Sequence, residues 1–126
     1  MTDEFGISIN VNVAKGYFAD TVRKSFNDDM NIIGLGGGIQ LVGTTPETID
    51  FDDIAYEGWL YLENVDTVAG NIVDYGPYDS VWLSSFWLAP GEGALIKLKP
   101  GTVIRAAFRT SEGRLLVKCY DSSTGT

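Results

Sequence analysis

The chain has 126 residues and a mass of 13.7 kDa, enough for one domain around one hydrophobic core and too little for two ordinary domains. Hydrophobic residues make up 44% of it and charged residues 21%, a balance that argues against disorder along its whole length. A net charge of −8 and an isoelectric point of about 4.3 argue against nucleic acid and anionic membranes as partners, and the absence of histidine removes the commonest general base, metal ligand and pH switch.

Ile7, Ile9, Val11 and Val13 alternate with Ser8, Asn10 and Asn12, the period of a strand with one apolar and one polar face. No partner strand precedes them in the sequence. Ile7, Ile9 and Val11 are therefore candidate interface residues, and residues 1–16 are expected to be a short irregular N-terminal arm that adds a strand to a neighbour's sheet. Met1-Thr2-Asp3-Glu4 is acidic where a signal peptide is basic, and no apolar run reaches the roughly 18 residues that cross a bilayer, so neither export nor a membrane partner is expected. In residues 17–30 the apolar positions Tyr17, Phe18, Val22, Phe26 and Met30 fit a helix as well as a strand, turn and strand. Helix formers are few there and Asn27-Asp28-Asp29 reads as a turn, which favours extended structure.

Gly34-Leu35-Gly36-Gly37-Gly38 is expected to be a flexible bend. It lacks the Gly-Lys-Ser/Thr and the following helix of a phosphate loop. Strands are expected over residues 38–42 and 48–51, then at Gly58-Trp59-Leu60-Tyr61-Leu62, where aromatics alternate with leucines as in a strand covered on both faces. Asn64 and Asp66 end that strand, because short polar side chains compete for backbone groups. Residues 71–75, 80–88, 94–99, 103–109 and 114–120 follow as strands, separated by Gly76-Pro77, Pro90-Gly91, Pro100-Gly101 and Ser111-Glu112-Gly113. Strands recurring about every ten residues point to a single all-β domain, an antiparallel β-sandwich or jelly-roll-like fold over residues 1–126, with 121–126 as a flexible tail.

Chemistry is sparse. Asp50, Asp52 and Asp53 form the densest acidic cluster, but a calcium loop starting at Asp50 would need glycine and glutamate where Ala55 and Tyr61 stand. Ser80, Ser84 and Ser85 have no histidine to activate them. Cys119 lies in an apolar run and reads as a buried inert thiol. The chain is accordingly expected not to be an enzyme and to use no cofactor or metal. Charge is uneven: residues 1–96 hold three basic residues (Lys15, Arg23, Lys24) against fifteen acidic ones, and residues 97–126 hold six against two. Strands from both segments mixed in one sheet would set these charges opposite each other, and head-to-tail association between copies is the alternative. The best binding candidates are the aromatics of the middle third. Most are needed in the core, while Tyr75, Tyr78, Trp82 and Trp87 suggest a stacking platform; Trp82 and Trp87 lie five apart, on opposite faces of a regular strand.

The run Tyr56-Glu57-Gly58-Trp59-Leu60-Tyr61-Leu62-Glu63-Asn64-Val65-Asp66, then Asn71 to Gly76, then Phe86-Trp87-Leu88-Ala89-Pro90-Gly91-Glu92 resembles a pattern in small virion proteins of tailed bacteriophages. There a Gly-aromatic-Leu-x-Leu-x-Asn-Leu-Asp strand precedes a short strand, a Leu-x-x-Gly-Glu turn and paired hydrophobic strands, positions taken here by residues 94–98, 103–108 and 115–120. The resemblance spans about residues 38–120, and the chain departs from it in a longer turn over residues 66–70. It implies a β-sandwich subunit assembled in the bacterial cytoplasm and carried on the virion. The implied role is a capsid cement or decoration protein that binds the major capsid protein and copies of itself. A neck, tail or receptor-binding fibre subunit fits the same features, and a carbohydrate-binding module is the alternative from another class.

Overall fold

The computed structural model describes residues 5–28, 35–51 and 57–121, and all regular structure among them is β-strand. In chain order the strands are β1 (Phe5–Lys15), β2 (Phe18–Asp28), β3 (Leu35–Val42), β4 (Glu47–Thr48), β5 (Glu57–Asn64), β6 (Val73–Asp79), β7 (Val81–Trp82), β8 (Phe86–Leu88), β9 (Gly93–Lys97), β10 (Ile104–Phe108) and β11 (Gly113–Asp121). One sheet has the order β3-β11-β5-β9, a second has β4-β10-β6 with β7 and β8 sharing the far edge of β6, and among the described residues β1 and β2 pair only with each other. All pairings are antiparallel.

The alternation read from the sequence produces a sandwich core. Val42, Leu60, Leu62, Leu115, Val117 and Cys119 point inward from the first sheet and Val73, Tyr75, Leu88, Ile104, Ala106 and Phe108 from the second, forming one cluster of buried side chains. Gln40 ties the layers at one edge: its Nε2 donates to the Thr48 carbonyl at 3.0 Å and its Oε1 accepts from the Asp50 amide at 3.0 Å. The basic C-terminal strands do interleave with the acidic segment. Arg109, just past β10, forms a bidentate pair with Asp74 on β6, at 2.9 and 2.8 Å.

Several elements differ from the expectation. The N-terminal region is a regular strand rather than an irregular arm, and residues 17–28 supply its partner strand β2, which makes the two a hairpin. Gly16 has φ 59°, the positive value that the first position of a two-residue II′ turn requires, and Lys15 and Phe18 close that turn as a pair. Gly36, Gly37 and Gly38 lie within β3 and not in a bend.

Gly76-Pro77 sits inside β6 and not at a turn. Pro77 is tolerated because the Tyr78 amide donates to Val103 on the β10 side, which aims the proline nitrogen at the gap between β8 and β7. The single strand expected over residues 80–88 is split into β7 and β8 by residues 83–85, which cross over Gly76 so closely that a Cβ there would strike the Leu83 carbonyl. Of the acidic cluster, Asp50 is exposed; Asp52 and Asp53, like the tail residues 122–126, lie outside the described residues.

Candidate functional site

Period two puts Ile7, Ile9, Val11, Val13 and Lys15 of β1 on the same face of the hairpin as Phe26, Lys24, Val22, Asp20 and Phe18 of β2, paired in that order. The opposite face is polar: Ser8 faces Ser25 with their hydroxyls 3.2 Å apart, and Thr21 donates to Asn12 at 3.3 Å. At the root the apolar face packs on the body. Phe26 lies 5.7 Å from the Trp59 ring on the outer face of β5, the indole Nε1 donates to Asp28 Oδ2 at 2.7 Å, and Lys97 pairs with the same carboxylate at 3.6 Å while sitting 5.4 Å from the Trp59 ring centre. Ile7 is consequently 5% exposed. Beyond the root, exposure rises to 42% at Ile9, 46% at Val11, 44% at Val13, 50% at Val22 and 62% at Phe18. Five apolar side chains thus line one face of a two-stranded ribbon that joins neither sheet.

A second surface is the outer face of the β4-β10-β6 sheet. Tyr78 and Trp82 face each other across β6 and β7, both half-buried, and the Arg105 guanidinium lies 3.6 Å from the Tyr78 ring centre. The Trp82 indole donates to the Arg105 carbonyl at 3.1 Å, which holds it against the sheet. Arg105 Nε is buried and has no hydrogen-bond partner among the described residues. Trp87 is paired with Asp74 in register, 56% exposed, with Arg109 5.8 Å from its ring centre. Asp74 holds Arg109 by hydrogen bonds first and charge second, pushing its pKa further above its ordinary value. Tyr75 is not part of this platform. It is 5% exposed, points into the core and stacks 5.4 Å from Phe86.

Two features carry no obvious mark in the sequence. Asn64 and Asn71, both fully buried, knit one end of the sandwich: Asn64 Nδ2 donates to the carbonyls of Asn71 (3.0 Å) and Leu88 (2.9 Å), and its Oδ1 accepts from the Asp66 amide at 3.1 Å. Asn71 donates to Asp66 Oδ2 (2.8 Å) and the Ser111 carbonyl (3.0 Å) and accepts from the amide of Thr110 at 3.2 Å. The residue type that ends β5 by competing for backbone groups is the one that satisfies the carbonyls left over there. The Asp28-Trp59-Lys97 anchor is the other. It joins residues 31 apart in sequence and only becomes visible when β2 turns back beside β5.

Among the described residues no three histidine, cysteine, aspartate or glutamate side chains converge as a metal site. No protein-family model, curated protein or solved structure matches this chain.

Proposed function

We propose that the chain is a structural assembly subunit: a rigid β-sandwich that attaches to neighbouring protein subunits through its hairpin. Its setting, on the sequence resemblance, is a tailed-phage virion assembled in the bacterial cytoplasm, where it acts as a capsid cement or decoration subunit bound to the major capsid protein and to copies of itself. The observation that carries the reading is the apolar face of the hairpin, exposed from Ile9 to Phe18. A two-stranded ribbon alone is marginal in water, and a contiguous apolar face on it is typical of a surface completed by another chain. The test is co-sedimentation of the full chain with tailed-phage coat-protein shells, with Val11→Asp beside the wild type. Binding that the substitution abolishes supports the reading; binding untouched by it removes the hairpin from the role.

A second reading rests on Trp87, exposed beside an arginine fixed by Asp74, which suits stacking against a sugar ring. Titration with a glycan panel checks it: quenching of tryptophan emission that Trp87→Ala removes supports a carbohydrate-binding module, and no quenching by any sugar counts against it.

A further inference from the structure

The hairpin face carries more than apolar side chains: Lys15 lies beside the tip turn, and Lys24 and Asp20, which flank the midpoint, are placed in a way that selects an occupant. Along the face the cross-strand pairs run Ile7/Phe26, Ile9/Lys24, Val11/Val22, Val13/Asp20 and Lys15/Phe18. Val11/Val22 is the midpoint, with Lys24 one pair toward the root and Asp20 one pair toward the tip, both on β2. Lys24 and Asp20 are exposed and neither forms an ion pair among the described residues. Turn a second copy over by a two-fold axis lying between the faces, across the strands and through the midpoint. Each β2 then lies over the other β2, running the opposite way. Val11 meets Val11, Val22 meets Val22, Ile9 meets Val13, and each Lys24 meets the Asp20 of the other copy. The alternative axis, along the strands, sets β1 over β2 and leaves Lys24 against Ile9 and Asp20 against Val13, burying both charges unpaired.

We infer that the occupant of the hairpin's apolar face is the same face of a second copy of this chain, packed antiparallel about Val11 and Val22 with reciprocal Lys24 to Asp20 pairs. The inference rests on the assembly reading above and names the partner. Charge at larger scale agrees with it. The hairpin, residues 5–28, holds three basic and two acidic residues, whereas the rest of the chain holds six and fifteen, so hairpin meeting hairpin keeps two strongly acidic bodies apart. Twisted sheets packed face to face cross at about 30°, which swings each Gly16-Tyr17 tip to the side of the partner's anchored root. The exposed part of the face is about 20 Å long and 10 Å wide by strand dimensions. That is below the roughly 800 Å² per partner of a standard interface, so the contact alone belongs in the micromolar range, with avidity added where many copies are arrayed.

The experiment is sedimentation velocity of the full chain from 1 to several hundred µM, a range chosen to span about two decades of dissociation constant. A concentration-dependent dimer is expected, lost in Val11→Asp and kept in Asn10→Asp, which puts the same charge on the polar face. Lys24→Asp and Asp20→Lys should each weaken dimerisation about tenfold, and the double exchange should return it to within about threefold of wild type. The exchange pair keeps the test sharp even if Val11→Asp unravels the hairpin. A dimer that the double exchange fails to restore overturns the antiparallel geometry. A monomer throughout the range overturns the inference. If that monomer still binds coat-protein shells in a Val11-dependent way, the assembly reading survives with a foreign occupant; if it does not, both fall together.

Discussion

Asn71 shows how much one buried amide can hold. Its side chain satisfies groups on Asp66, Thr110 and Ser111, so truncation orphans donors and acceptors in a site that excludes water. Asn71→Ala should cost about 2–4 kcal/mol in denaturant unfolding, several times a typical surface change. Tyr75 supplies a pH test. Burial raises its pKa above the ordinary value of 10.0, and Tyr61 is raised too, first by its hydrogen bond to Glu63 and then by desolvation. Folding therefore favours both protonated phenols. The unfolded chain loses those protons first, so the stabilisation is complete below pH 10 and disappears as pH climbs through the folded-state values. The urea midpoint should hold between pH 7 and 9 and fall above about 10, with a smaller fall in Tyr75→Phe. At this scale the sequence is a partial guide. Tyr75 and Tyr78 are three apart, so a regular strand sends them to opposite faces, whereas Trp82 and Trp87, five apart, share the outer face because residues 83–85 break the strand between them.

The strands were legible where alternation is uninterrupted. Ile7 to Val13 declares itself, and so does Trp59 to Leu62. β2 does not, because Asp20 and Lys24 occupy positions on the apolar face that alternation would give to hydrophobic residues, leaving Phe18, Val22 and Phe26 at a spacing a helix also explains. Those two charges obscure the strand and carry its proposed pairing. Gly76-Pro77 hides the length of β6 for a related reason: the pair is a turn signal, but here the glycine makes room for residues 83–85 and the proline faces a gap in the neighbouring edge. Asp28 is one of the groups that seat the hairpin, beside the Phe26-Trp59 contact. Asp28→Ala removes the acceptor of the Trp59 indole and the partner of Lys97, a hydrogen bond to a charged group worth about 2 kcal/mol. Amide exchange in residues 5–28 should then accelerate on the order of 30-fold while β5, β10 and β11 keep their protection. Equal loss in both regions would mean that hairpin and sandwich unfold as one unit.

Among the described residues the molecule is a sandwich with its own core and a hairpin whose apolar face packs on it at the root. That division predicts that changes on the exposed hairpin face alter association and leave the core unmoved. Val11→Asp should shift the unfolding free energy of the sandwich by no more than about 0.5 kcal/mol, as for a surface site. The most direct measurement is light scattering of wild type and Val11→Asp across concentration, with the melting temperature of each recorded on the same samples. Mass is expected to rise with concentration in the wild type only, at matched melting temperatures; two proteins that stay monomeric, or a Val11→Asp chain that associates as wild type does, would contradict the proposed pairing.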